Sequence, residues 1–539
     1  VDHQFGPRQR IYGRYSWNDF VQLRNTNGMP GVVGDYRNGG KFNNGFVLDS
    51  ITTLTPSTLL NVRASITRWV EDLGPYGNEG FDMTKFGWPQ ALVSKLPRPD
   101  LFPRLDVSQA RSLGPSSGNV TFEPTTTASF GPNMVLIRGK HTLKLGLDYR
   151  ITRYTQLRPG AAGGTFAFDR QFTRRDYLVQ DAASGVGMAS FLLGYAASGS
   201  VANVPNPYWQ WIYYAPWFQD DFKIGRRITI NFGLRWDINL PPTERFNQIN
   251  RGFFPDQVNP VSSKIDQSRF PGFQAKGGIG FAGVNGLPRS PYDTDWNNWQ
   301  PRLGVAWDVK GNGGTVLRAA WGVYTDRFFQ RLFDFGVLNS PYAHSSIFTT
   351  IAFPPGAQIP QRTDTPPQQR VVDPGLRSPM TYRFNAAVER RLAAQTSITV
   401  AYVGLRAVDL YRWSEPNGLG SVPQTARPDP RFARYRYTDN GADSRYHSLQ
   451  AFARHRFTGG LDFTVAYTFG RSIDTYSQDV GDNSSRNPAP GLAQFPSLIN
   501  LDGSPAAGFQ GGTRWAPRPL LAERGNSDFD IRHLSLIHI

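Results

Sequence analysis

Across residues 227–237 the chain reads RITINFGLRWD, with apolar and polar residues alternating without a break. Ile228, Ile230, Phe232, Leu234 and Trp236 share one side; Arg227, Thr229, Asn231, Gly233, Arg235 and Asp237 share the other. Successive side chains of a strand point to opposite faces, so this segment predicts a strand with one apolar and one polar face. The segment 217–222 lies just before it, separated by Lys223-Ile224-Gly225-Arg226, a length that suits a hairpin. After Asp237 a polar stretch of roughly 60 residues, dotted with Pro and Gly, precedes the next pair, which is abnormally long for a compact soluble domain.

The same rhythm fills the chain. Strand 42–54 pairs with 59–70, a strand ending at Ile137 with 142–155, and 213–222 with 227–237. Further pairs are 300–309 with 315–326, 381–391 with 397–405, and 446–457 with 461–473; single strands lie at 9–17 and from Asp528. That makes about 14 strands, most near the length that crosses a bilayer at a tilt. Short turns fall near Pro56, Lys140, Gly225, Asn312, Ala394 and Gly459. Long loops fall at 18–40, 72–119, 156–208, 238–299, 328–380, 411–445 and 474–527, with a short helix or buried strand expected at 189–194. Short turns at one end and long loops at the other are the pattern of a large transmembrane β-barrel. The predicted fold class is therefore all-β: an antiparallel transmembrane barrel. A sandwich or propeller is the soluble alternative, but no four-strand blade repeat is present.

In lipid every backbone N–H and C=O must be paired internally, so a sheet has to close. The expected lipid face holds Leu143, Leu145, Leu147, Tyr149 and Ile151 in one strand, and Leu303, Val305, Trp307 and Val309 in another. Thr142, Lys144, Asp148, Arg150, Arg302 and Asp308 are expected to face the lumen. Trp217, Trp236, Tyr149, Trp307, Tyr467 and Phe469, near strand ends, suit the aromatic girdles at the two interfaces.

Composition changes this picture little. No run of about 18 apolar residues exists, so no transmembrane helix is predicted, and strands need none. The absence of cysteine excludes a disulfide framework and thiolate metal sites. The net charge of +16 raises nucleic-acid binding. The basic residues are scattered singly, as at Arg63, Arg68, Arg150, Arg235, Arg302 and Arg318, and no reading motif accompanies them, so no nucleic-acid partner is expected.

Candidate chemistry is sparse. The seven histidines form no HExxH motif. His447 and His455 share a strand face but lie too far apart to share a metal, and are expected to line a lumen or a turn. Asp293-Thr294-Asp295 and the acidic group at 479–482 lack EF-hand spacing and read as solvated loop charge. No nucleophile elbow or phosphate loop is present, so neither an enzyme nor a cofactor or metal site is expected. Trp209, Trp211 and Trp296 in the loops are candidate ligand contacts, because flat aromatic faces suit sugars and siderophores; anchoring loop to loop is the other use of such residues.

Longer motifs are more specific. RGKHTLKLGLDYR (138–150) resembles the G-x-H-x-[LF]-K-x-G-x-[DE] hairpin of TonB-dependent outer-membrane receptors, and WFQDDFKIGRRITINFGLRWD (217–237) resembles their Q-D-D…N-x-G-L-R hairpin. PRLGVAWDVKGNGGTVLRAAWGVYTDR (301–327) is similar to the pair that follows. TYRFNAAVERRL with ITVAYVGLRAVDL (381–410), YHSLQAFARHRFTGGLDFTVAYTFGRSID (446–474) and ERGNSDFDIRH (523–533) resemble the Oar-like subgroup of acidobacterial type. The resemblance covers nearly all strands and little of the loops. It implies a barrel of about 22 strands, wide enough to hold a plug, in the outer membrane of a Gram-negative bacterium. It also implies a carboxypeptidase-regulatory-like domain upstream, outer-membrane lipid around the wall, and a TonB complex that pulls on the plug to admit an extracellular ligand such as a sugar, siderophore or peptide. Residues 1–533 correspond to part of such a barrel. The chain opens on Val1-Asp2-His3, plug and regulatory-like domain are missing, and 534–539 (LSLIHI) depart from the family pattern. A fragment with a non-native tail is the expectation, and a passive porin-like or structural outer-membrane barrel without energy coupling is the alternative.

Overall fold

The alternating segments form strands in a computed structural model that describes the chain apart from 75–79, 95, 97, 117–120, 158–162, 177–178, 180, 182, 204–205, 259–261, 264, 327–343, 354–368, 415–416, 418–423, 428, 431–434, 476–526 and 539. The first strands are β1 (Asp2–Gln4), β2 (Gln9–Asn25), β3 (Tyr36–Thr55), β4 (Thr58–Gly74), β5 (Arg104–Val107), β6 (Thr121–Arg138) and β7 (His141–Thr155). There follow β8 (Thr165–Phe168), β9 (Tyr195–Asn203), β10 (Tyr208–Lys223), β11 (Ile228–Trp236), β12 (Ile238–Glu244), β13 (Asn250–Val258), β14 (Lys276–Phe281), β15 (Trp299–Asp308) and β16 (Thr315–Thr325). The rest are β17 (His344–Ala352), β18 (Gln369–Val372), β19 (Met380–Ala393), β20 (Thr396–Ser414), β21 (Tyr435–Arg456), β22 (Asp462–Asp474) and β23 (Ser527–His538).

One 17-stranded sheet forms the wall. It is an antiparallel meander that runs β2-β3-β4-β6-β7-β10-β11-β15-β16-β19-β20-β21-β22-β23. All 14 strands expected from the sequence are in it. β1 pairs on β2, β12 continues β11 alongside β10, and β18 adds to β21 in parallel. Among the described residues no pairing joins β1 or β2 to β23, so the sheet is open. β23 stays in register with β22 to His538, through the stretch expected to be foreign.

The six short turns fall where the alternation breaks. At the β15–β16 turn the Asp308 carboxylate accepts the N–H groups of Gly311 (2.9 Å) and Gly313 (2.8 Å). Both glycines have positive φ, 75° and 66°, which a side chain would resist. Val309, expected on the lipid face, lies in this turn beyond the end of β15.

Register carries one parity across the whole wall. Leu145, Phe218, Phe232, Leu303, Trp321, Val400, Leu449 and Phe469 are large, apolar and exposed, and they share the outer face. The opposite parity carries Lys144, Asp148, Arg150, Gln219, Asp221 and Arg235. Lys144 meets Asp221 at 2.8 Å, across the strand pair. A sheet with its greasy side outward has its solvent on that side, as a membrane wall does.

The buried core lies in the connections instead. Met83, Trp88, Leu92, Leu105, Phe166, Phe168 and Ala196 form one cluster under a four-stranded sheet, β5-β8-β9-β17. Tyr154, Trp209, Ile249, Tyr292, Val372 and Leu376 form a second on the inner face of the wall. The loops thus hold strands that the alternation did not predict, including the β13–β14 hairpin. Residues 187–192 form a short helix, one of the two alternatives expected at 189–194. Wall strands also overrun their predicted ends: β2 reaches Asn25, β3 starts at Tyr36, and β20 runs to Ser414.

Candidate functional site

The inner face of β10 carries Trp209, Trp211, Tyr213, Ala215, Trp217, Gln219 and Asp221 at every second position, reading from the loop end to the turn end. Four of the seven are aromatic and stand in a column. At the top, Trp209 is 2% exposed within the second core cluster, its ring 5.8 Å from that of Trp211. Trp211 is half-buried, packs against the cluster and lies 6.3 Å from Tyr154. Farther down, Trp217 lies across Gly146 of β7, where a Cβ would come within 2.7 Å of the indole. The glycine makes room for a ring lying flat on the wall.

Charge flanks the column. The Tyr213 hydroxyl donates to Asp237 (2.9 Å) and accepts from Arg235 (2.6 Å). Arg235 also donates to Asp237 (2.7 Å) and reaches Asp148 (3.3 Å), and Arg150 clasps Asp148 with two bonds of 2.9 and 2.5 Å. Both guanidinium groups lie over the Tyr213 ring, at 5.6 and 5.9 Å. Asp237 accepts from Thr325, which accepts from Gln300, which in turn accepts from Arg302. Arg302 and Arg383 both cover the face of Tyr324, at 4.5 and 5.0 Å. A strip of alternating guanidinium, carboxylate and phenol therefore crosses β7, β10, β11, β15, β16 and β19. Such fixed, forked donors and flat faces can bind a polar solute through both hydrogen bonds and stacking.

Above the wall, Tyr292 closes the second cluster. Burial pushes its phenol well above the ordinary value of 10.0. In the first cluster's surroundings, Asp100 sits below the usual carboxylate range because Arg98 hydrogen-bonds it at 2.8 and 2.9 Å.

Of the three candidate tryptophans, Trp209 and Trp211 come together on the inner face, and Trp296 does not join them. Trp296 is 56% exposed and stands beside Trp236, whose indole N–H donates to its carbonyl at 2.9 Å. Trp236 in turn stacks on Trp299 at 4.6 Å and 7°. This indole cluster lies at the loop end of the outer face, where a girdle belongs. Trp217, assigned to the girdle from its place near a strand end, is on the inner face. Its odd-numbered position, in phase with Tyr213 and Asp221, already carried that signal. His447 and His455 share a face as expected, but it is the outer one and not the lumen: His447 shares a 2.7 Å bond with Tyr402 in phase with Leu449, while His455 stands beside the turn at the end of β21, bonded to Thr396 at 2.7 Å. Asp293 pairs with Arg251 at 2.5 Å and Asp295 accepts from the Ser378 N–H at 3.0 Å; residues 479–482 lie outside the described residues. Among the described residues no cluster of three metal-capable side chains occurs.

Several solved structures are similar to the chain. The outer membrane transporter YddB from Escherichia coli matches with a TM-score of 0.54 at 9% identity, over 88% of this chain and 47% of its own. The FrpB iron transporter from Neisseria meningitidis matches at 0.42 and 12% identity, over 88% and 50%. The ferric yersiniabactin uptake receptor FyuA from Yersinia pestis matches at 0.40 and 8%, over 87% and 50%. The chain thus spans about half the length of the structures it resembles. No curated protein sequence matches it. The model of the outer membrane beta barrel domain family matches residues 1–538. The chain belongs to that family, and its place is the outer membrane of a Gram-negative bacterium.

Proposed function

We propose that the chain forms part of the wall and the outer loops of a TonB-coupled receptor of the Oar-like subgroup, which takes up a substrate too large or too scarce for open pores. The observation that carries this reading is the inner strip from Trp211 through Tyr213, Arg235 and Arg302 to Tyr324, a polar and aromatic lining beneath a packed loop layer. A wall that only anchored itself in lipid would need no such lining. Fixed guanidinium forks beside flat aromatic faces suit a polar solute such as a sugar, siderophore or peptide, and these are the ligand classes to try. Of the three candidate tryptophans, ligand contact by Trp211 belongs to the same proposal, because it stands half-buried at the lip of the core; buried Trp209 backs it from within the cluster, and Trp296 stands with Trp236 on the outer face.

Uptake of a labelled ligand pool by cells with and without the gene tests the reading. Coupled import predicts gene-dependent uptake that collapses when the proton gradient is dissipated, and that falls about tenfold in Arg302→Ala, the scale of one lost charge-assisted hydrogen bond. Gene-dependent uptake that survives loss of the gradient would mean a passive channel instead.

A further inference from the structure

Two depressions lie on the outer face of strands β7 and β10, one above the other. The upper, of about 310 Å³, is lined by Arg153, Thr155, Tyr208, Gln210, Thr243 and Arg245. Gln210 pairs with both Arg153 and Thr243, so these side chains share the outer parity of Leu145 and Phe218. The lower, of about 760 Å³, is an apolar groove between Pro132, Leu145, Leu147, Pro216, Phe218 and Leu234. It forms where Pro216 faces Leu147 across the strand pair, since short proline rings stand lower than their aromatic neighbours.

Their heights match a lipid. Strands tilted by about 40° climb ~2.5 Å per residue, so an apolar band of ~25 Å takes about ten residues. Counted from His141 and Phe222 at the turn end, the band closes near Ile151 and Ile212. The Tyr149–Tyr214 ring pair, 5.0 Å apart, marks its rim. Arg153, Gln210 and Arg245 lie just above, at headgroup level, and Leu147 lies ~15 Å below Arg153, about half the thickness of a hydrocarbon core.

The upper pocket is also charged without compensation. Arg153 donates to the Gln210 side-chain oxygen at 3.2 Å, and Arg245 lies 5.9 and 5.7 Å over the rings of Tyr208 and Phe246; neither has a carboxylate partner among the described residues. The adjacent acid, Glu244, is buried on the opposite parity, where its carboxylate accepts the N–H groups of Tyr208, Phe246 and Gln248. Two guanidinium forks with hydroxyl and amide neighbours suit a phosphate.

We propose that this face holds a phosphorylated glycolipid of the outer leaflet, with phosphate on Arg153 and Arg245 and an acyl chain in the groove at Leu147 and Pro216. The site needs only the membrane location and is independent of what the barrel imports.

The test is native mass spectrometry of the whole receptor in mild detergent, with bisphosphorylated lipid A, its dephosphorylated form, and inorganic phosphate as probes. The expected result is retention of lipid A that drops about tenfold when its phosphates are removed, and likewise in the R153Q/R245Q double variant. Leu147→Trp, which fills the groove and keeps the surface apolar, should weaken both lipid forms alike. Equal retention of phosphorylated and dephosphorylated lipid by the unmodified receptor would overturn the proposal, even if the arginine variant failed to assemble. So would displacement of bound lipid by inorganic phosphate at equal concentration, since the pocket would then be a free-anion site.

Discussion

The wall and the loop layer of this protein use apolar residues in opposite ways. In the wall, Leu145, Leu303 and Trp321 are 39%, 51% and 43% exposed and the polar side chains turn inward. In the loop layer, Trp88, Phe166 and Phe168 are buried against one another, as in any soluble core. One is held by its hydrogen-bonded ladder and by lipid; the other is held by close packing. Stability and location should therefore separate by region, since a core defect acts through lost contacts and a wall defect through the cost of charge in lipid.

The largest effect is expected from Trp88→Ala. Emptying a buried indole site costs about 3–5 kcal/mol, here taken from the loop layer alone. Protease added to intact cells should clip the loops of that variant while the amount in the membrane stays the same; a fall in membrane yield with no new clipping would show that the two regions are not separable. Next comes Leu145→Arg, at about 2–4 kcal/mol for a cation on the lipid face. It should empty the outer-membrane fraction, and normal heat-modifiable migration of that variant would remove the lipid-face assignment.

A pH effect sharpens the contrast. Burial raises the Tyr292 phenol, so the folded loop layer favours the protonated form. Its contribution is complete below the ordinary value near 10.0 and is lost as pH rises through the higher folded value. Alkaline titration should loosen the Tyr154–Trp209–Tyr292 cluster, seen as a red-shifted tryptophan emission, before wall circular dichroism changes. The smallest effect is expected from Lys144→Ala: Asp221 keeps its bonds from Gln219 and Asn231, and a partly exposed ion pair contributes under about 1 kcal/mol. Membrane yield should match the parent.

The same contrast explains what could be read from the sequence. All 14 main wall strands were legible, because a wall between lipid and water imposes a period of two on residue after residue. Their upper ends were not: Phe20–Asn25 and Leu410–Ser414 stay in the ladder above the membrane, where neither face must be apolar. The strands β5, β8 and β17 were missed because four to nine residues inside a packed layer show no alternation to read. Nearness to a strand end suggests the girdle for Trp217, but parity decides the face of every wall residue and puts it inside with Arg235. Trp209 and Trp211 were found as loop aromatics, yet the column they head, with Tyr213 below, became visible only from the register with Arg150 and Arg235.

The central claim is that the two parities of the wall face different solvents. The chain has no cysteine, so single cysteines can be read without background. Cysteines placed in turn at Trp211, Ile212, Phe218 and Gln219, in cells, should divide by parity. Positions 211 and 219 should react with a small water-soluble maleimide, and 212 and 218 should be reached only by a lipid-dissolved probe. Equal water-phase reactivity at all four positions would contradict a lipid-facing wall.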